Sequence, residues 1–301
     1  MRPRFVRITT PLLGSALFVC MTLGLSANAH AGLVNDLPSC YAYAHIRPPA
    51  IPYDKLLYIL VDQTVQLTPR LEQSVVNNAL RLIQPGSKFV VADFSAFAQG
   101  RYLQVVHTGI VERPLSPSRV DTTPIRSTRL LKRCLRYQMN YARDMVAMSL
   151  VKIFKGSSSS FAHSDIMMTL KVISKAIAED PVRQKVLFLV SDGLENSSVT
   201  SFYADDTVRV IDPSAEMAKA AAAHLFGNFG GASVYVLGGV MIPPLGQGTR
   251  AQREGYHDPQ VLISIHTFWR EYFAKSHACL IEFGEPALTR PMSYRNPKCN
   301  P

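Results

Sequence analysis

The chain predicts a doubly wound α/β fold, a mostly parallel six-stranded sheet with helices on both faces. Three observations carry this. Residues 56–61 and 186–190 are continuous apolar runs, as expected for strands covered on both sides. Each run ends abruptly in polar residues, Asp62-Gln63-Thr64 and Ser191-Asp192-Gly193. Such runs alternate along the chain with segments whose apolar residues recur at helical spacing, the pattern of a sheet wound with helices.

The elements follow in order. The first strand spans 55–61. A helix over 69–83 presents Leu71, Val75, Val76, Ala79, Leu80 and Ile83 on one face and is closed by Pro85-Gly86. Residues 87–95 form the second strand. Residues 101–111 form the third, which follows a turn at Gln99-Gly100 and is therefore an antiparallel edge. Residues 113–125 are rich in Pro, Ser and Thr and read as loop. A long helix over 127–154 breaks at Gly156 and the serine run 157–160. Another helix starts near Ser164 and reaches about residue 178. The fourth strand is 185–191. Asp212-Pro213 is a helix start, with Asp as cap and Pro at the first helical position, and that helix runs to Phe226. The fifth strand is 232–237. A last helix over 258–277 carries Phe268, Trp269, Tyr272 and Phe273 as core residues, and 279–283 is the sixth strand.

The ends are different in kind. Arg2, Arg4 and Arg7, the apolar run 12–25 and Ala29-His30-Ala31 make residues 1–31 a signal peptide, cleaved after Ala31. The run is shorter than the roughly 20 residues of a membrane-spanning helix, and Val19 stands before Cys20 where a lipoprotein signal needs a small residue. The mature protein is thus expected to be periplasmic or secreted. Residues 32–54 form an extended Pro-containing arm, 55–285 the α/β domain and 286–301 a Pro-rich tail.

Hydrophobic residues make up 47 % and charged residues 18 %, an ordinary globular composition, and the net charge is +10. The leader holds three arginines and no acid, so the mature chain carries +7. A basic exported protein is suited to anionic envelope surfaces. Arg126, Arg129, Lys132, Arg133 and Arg136 cluster on the long helix. No zinc-finger spacing or nucleic-acid module accompanies them. Cys40, Cys134, Cys279 and Cys299 remain after cleavage. An even number in an exported chain, with no CxxC, implies disulfides, and the spacing selects none of the three pairings.

Asp62 and Thr64 follow the first strand, Ser164 opens a helix, and Asp192 follows the fourth strand. This order and spacing resemble the von Willebrand factor A domain, over about residues 55–285 and most closely over 164–197. The family's metal-ion-dependent adhesion site has the motif Asp-x-Ser-x-Ser, then a Thr, then an Asp. The resemblance implies that Asp62, Thr64, Ser164 and Asp192 hold Mg²⁺ or Mn²⁺. Gln66 stands where the second Ser belongs and makes the first motif incomplete; its carbonyl oxygen could serve as a weak ligand only if the longer side chain folded back. Asp165 is a helix first-turn acid that could orient the loop from behind the ligands. Oxygen donors of this kind suit Mg²⁺, and the resemblance implies a protein partner that offers an acidic side chain.

The function expected is an exported binding module rather than an enzyme. A metal-dependent hydrolase or phosphotransferase using Asp62 is the alternative, as is a metal-independent envelope scaffold. The chain has no Gly-x-Ser-x-Gly elbow, no phosphate-binding P-loop, and no second Asp directly after the Asp62 motif of the kind a haloacid-dehalogenase phosphatase needs. The histidines are scattered singly. His163 adjoins Ser164, but neighbours in sequence usually direct their side chains apart. Glu195 and Asn196 are expected at the rim of the site, with the 239–257 loop beside them as a mobile rim.

Overall fold

A computed structural model describes residues 35–95, 103–158, 164–204, 207–241 and 259–295. The expected signal peptide, His163, Cys299 and most of the 239–257 loop lie outside the described residues. Residues from Val34 onward form one compact unit.

Strand β1 (Lys55–Asp62) lies at the middle of the sheet. Beside it on one side is β2 (Ser87–Phe94) and then β3 (Gln104–Val111); on the other are β4 (Gln184–Val190), β7 (Ala232–Leu237) and β8 (Ala278–Phe283). The order is thus β3-β2-β1-β4-β7-β8. Every pair is parallel except β2 with β3, which is antiparallel as the turn before it required. This is the doubly wound α/β architecture that the alternation of strands and helices predicted, and it is consistent with the von Willebrand factor A-like fold that the resemblance implied. The chain winds outward through β2 and β3, then returns to start again at β4. The strand order therefore reverses between β1 and β4, and a crevice opens there at their carboxyl ends.

Successive residues of a strand face opposite sides, so β1 divides its run between two cores. Leu56, Tyr58 and Leu60 join the core beneath α5 (Ile166–Glu179), α6 (Pro213–Ala222) and α7 (Pro259–Lys275). Leu57, Ile59 and Val61 join the core beneath α2 (Pro69–Leu82) and α4 (Ile125–Gly156). Burial on both faces is why the run reads as continuously apolar.

Helix ends follow local chemistry. Thr68 caps α2 with Pro69 at the first position, and Asp212 caps α6 by accepting from the amides of Ser214 and Ala215. Helix α6 stops earlier than the expected Phe226. His224 takes a left-handed backbone (φ 54°), while Leu225 donates to the Ala220 carbonyl and His224 to that of Ala221. That bonding closes a helix, and a histidine occupies the place usually given to glycine. His45 ends the short α1 (Cys40–Tyr43) in the same way.

Two segments read as irregular contain helix. Ser116-Pro117 starts α3 (Pro117–Asp121) inside the expected loop. The expected extended arm contains α1, whose first amides are held by a buried carboxylate. Glu112 accepts from the Cys40 amide at 2.7 Å, and from the Tyr41 amide and Ser39 hydroxyl. The arm also covers the sheet edge. Asp36 donates its amide to the Thr108 carbonyl, and its carboxylate accepts from the Thr108 amide. Edge strands left bare invite unwanted pairing. Cys40 and Cys134 form a disulfide that fixes α1 to α4. Cys279 is also disulfide-bonded, to a residue outside those described. At the other end, Tyr294 is buried and donates its hydroxyl to the Leu82 carbonyl, so the tail packs against the α2 side.

Candidate metal centre

Asp62 is the last residue of β1, and its position follows from register. Val61 pairs with Val190, so Asp62 emerges beside Ser191 at the switch point. Its carboxylate is 1 % exposed and accepts four hydrogen bonds. The Thr64 amide (3.0 Å) and hydroxyl (2.7 Å) donate to Oδ1. The hydroxyls of Ser164 and Ser191, both at 2.9 Å, donate to Oδ2. Residues from three separate loops thus converge on one carboxylate.

Asp192 lies next to Ser191 and is buried; its Oδ1 accepts from the Leu194 amide at 2.9 Å. Burial raises the pKa of Asp192 well above the carboxylate range, and the charge of Asp62 raises it further. Burial also raises Asp62, against the hydrogen bonds from Thr64, Ser164 and Ser191 that favour its ionised form. Among the described residues neither acid is ion-paired. Two adjoining buried carboxylates without a cation are unfavourable when both are charged, so the pair must bind a proton or a positive ion.

The donor set fits a hard divalent cation. Among the described residues no three His, Cys, Asp or Glu side chains cluster. The convergence consists of two carboxylates and hydroxyls, the oxygen-only chemistry that Mg²⁺ prefers. The hydroxyls spend their protons on Asp62, which leaves oxygen lone pairs for another partner. Of the residues expected here, Thr64 and Ser164 are hydrogen-bonded to Asp62, and Asp192 is coupled to it by charge.

Gln66 does not join them. It is exposed, and its amide is directed at the Ser157 carbonyl, 3.5 Å away. The longer side chain turns outward to the end of α4 where a serine would turn in. Asp165 does not face the acids through any bond the structure shows. It caps α5, accepting from the Met168 amide at 3.2 Å. It therefore fixes the helix whose preceding residue is Ser164.

Glu195 is a correction to the rim expectation, since it is fully buried. One carboxyl oxygen accepts from the amides of Ile166 and Met167, both at 3.0 Å, at the start of α5. Its other oxygen has no hydrogen-bond partner among the described residues. Burial pushes its pKa up to about 8. Beside it, Asn196 exchanges both backbone hydrogen bonds with Ser164. The loop carrying Asp192 thus grips the loop carrying Ser164, through one side chain and one backbone bridge.

Sequence reasoning missed three contributors. Ser191 stood in the sequence only as part of the polar end of its strand, yet its hydroxyl accepts from the Gly193 amide within its own loop and also donates to Asp62. Tyr203 belongs to a small hairpin, β5 (Tyr203–Ala204) and β6 (Thr207–Val208), that no apolar pattern announces. Burial first, then the charges of Asp192 and Asp62, raise the pKa of its phenol, which places it close to the acids. Trp269 was read as core, which it is, but its indole also donates to the Gly193 carbonyl at 2.9 Å and secures the Asp192 turn.

No family model matches the chain, and no curated protein matches it. Solved structures give weak likenesses. An aerotolerance-related membrane protein from Bacteroides fragilis, carrying multiple mutations to serine, is 13 % identical over 76 % of this chain and 92 % of its own, with a TM-score of 0.33. The N-terminal domain of TFIIH p34 is 12 % identical over 79 % of this chain and 95 % of its own, with a TM-score of 0.27. At these scores neither likeness bears on function. The class of the protein rests on its own strand order and crevice: a doubly wound α/β domain with a buried acidic pair at the switch point.

Proposed function

We propose that this chain is an exported binding module that engages a protein partner through a divalent cation at the β1/β4 switch point. The observation that carries it is the adjoining burial of Asp62 and Asp192 with no cationic side chain paired to either among the described residues. Asp62, Asp192, Thr64 and Ser164 would hold Mg²⁺ or Mn²⁺. When bound, the ion would supply an electron-poor position able to accept a carboxylate from the partner. Ser191 holds Asp62 in its rotamer, Glu195 and Asn196 fix the start of α5, and Trp269 fixes the turn after Asp192. Each of these groups keeps the loops in register, and none is arranged as a nucleophile with a base. We therefore read the site as serving recognition rather than catalysis.

A second reading, the metal-independent scaffold, is favoured by Gln66. With that side chain turned outward, the acid pair could instead share a proton and act only as a structural tie. The two readings separate in one experiment. Trp269 is the sole tryptophan of the chain and touches the residue after Asp192. Titration of the mature protein with Mn²⁺ or Mg²⁺ should change its tryptophan fluorescence saturably. A chelator should reverse the change and Asp192→Ala should abolish it. A flat response in a folded wild-type protein would favour the scaffold.

A further inference from the structure

Helix α4 carries an outer face that the crevice does not use. It spans 32 residues, about 48 Å at helical rise, and contains eight basic residues against one acid, Asp144. Arg126, Arg129, Lys132, Arg133 and Arg136 are all exposed, and among the described residues none is ion-paired. Arg129, Arg133 and Arg136 follow one another at helical spacing on one side. Tyr137, Tyr141 and Met148 form an adjoining stripe, exposed by 70, 51 and 65 %. Ile125 at the helix start is 72 % exposed. Tyr43 joins the same region, because the Cys40–Cys134 disulfide fixes α1 there; Tyr43, Arg133, Cys134 and Tyr137 line one open, shallow hollow. Most of the large apolar side chains that the described residues leave exposed are on α4 or beside it.

On this surface the exposed cations border the tyrosine and methionine stripe, and Asp144, between Tyr141 and Met148, is the one acid on the helix. Five of the eight cations fall within residues 126–136, and Lys152 and Lys155 stand exposed at the far end, so the charge lies on an open helix surface rather than in a cleft. That distribution matches an extended anionic plane better than a single acidic peptide. Aromatic rings beside arginine and lysine are the composition of a surface lying at lipid headgroup level. We infer that the outer face of α4 docks on the surface of an anionic phospholipid bilayer, with the basic residues on the headgroup phosphates and Tyr137, Tyr141 and Met148 among the headgroups. The domain would then lie on a membrane by one face while its crevice, at the carboxyl ends of the strands, serves a separate partner.

The test is co-sedimentation of the mature protein with vesicles of phosphatidylcholine alone or mixed with phosphatidylglycerol, in the presence of chelator. Binding should require phosphatidylglycerol, ignore the chelator and weaken as salt screens the charges. The triple variant Arg129→Glu/Arg133→Glu/Arg136→Glu, shown to be folded by circular dichroism, should bind at least about a hundredfold more weakly, given roughly fivefold per cation. The double variant Tyr137→Ser/Tyr141→Ser should weaken vesicle binding but leave binding to soluble polyglutamate unchanged. Equal binding to both vesicle types, or none at low salt, would overturn the inference. So would affinity for polyglutamate equal to that for vesicles with no effect of the tyrosines, which would assign the face to an acidic protein instead.

Discussion

The indole nitrogen of Trp269 donates a 2.9 Å hydrogen bond to the carbonyl of Gly193, the residue that follows Asp192. The last helix thereby holds the turn that carries one of the two buried acids. Trp269 is itself locked among Phe268, Tyr272 and Phe273. Gly193 has φ +70°, and a Cβ there would come within 3.0 Å of the indole nitrogen and 3.1 Å of the Phe283 ring. Both backbone and space therefore demand glycine. Gly193→Ala should cost about 2 kcal/mol or more. Trp269→Phe should cost about 1–3 kcal/mol through the carbonyl left unpaired, beyond any loss of packing. Urea unfolding of both variants measures this; an unchanged midpoint in either would show that the turn does not depend on the contact.

Ser191 and Ser164 each donate to the same carboxyl oxygen of Asp62. Replacing either with alanine removes a bond to an ionisable group, and about 1.5–3 kcal/mol of stability should go with it. The loss also raises the Asp62 pKa, since each bond favours the charged form. The two changes share one acceptor and should not be additive. A double-mutant cycle by thermal unfolding tests this, and strict additivity would mean that the serines act independently of Asp62.

The sheet was legible because parallel strands covered on both faces must be continuously apolar, and 56–61 and 186–190 are. Asp62 and Asp192 were legible for the same reason, as charges at abrupt ends of apolar runs. Short elements were not. The Tyr203–Val208 hairpin is too brief to show a period, and α1 depends on Glu112, which lies more than seventy residues further along the chain. Ser191 was undervalued because its partner, Asp62, is brought to it only by strand register. Glu195 was placed at the rim because it follows Asp192 closely in the sequence. The amides of Ile166 and Met167 hold it inside instead. Gln66 was weighed as a ligand from its position alone, and side-chain length sent it outward.

Glu195 should give the protein a pH-dependent stability. Burial raises its pKa from 4.5 to about 8 in the folded chain. The folded state therefore retains a proton that the unfolded state gives up. The stabilisation from this group is complete below about pH 4.5 and is lost as pH rises through about 8. The change is on the order of a few kcal/mol. Glu195→Gln keeps an acceptor for Ile166 and Met167 without the ionisation, so it should flatten this slope and stabilise the protein at the alkaline end. Denaturant midpoints across that range test it; a variant with the same slope as wild type would clear Glu195 of the role.

The Cys40–Cys134 disulfide closes a span of 94 residues. Restricting so long a loop in the unfolded chain stabilises the fold by about 4–5 kcal/mol in the chain-entropy description. Reduction should lower the melting temperature and expose α1 to protease. Peptide mapping of the unreduced protein should recover Cys40 joined to Cys134, and Cys279 within a disulfide. Four free thiols, or a melting temperature indifferent to reductant, would refute this.

Calorimetric titration of the mature protein with Mg²⁺ and Mn²⁺, beside Asp62→Ala, tests the cation-binding proposal most directly. Wild type should bind one ion, and more tightly as pH rises, because protons compete for the raised carboxyls of Asp62 and Asp192. The variant should remain folded and show no binding. No heat in wild type at any pH, or the same affinity in both proteins, would contradict the assignment and leave the acid pair a structural feature of the switch point.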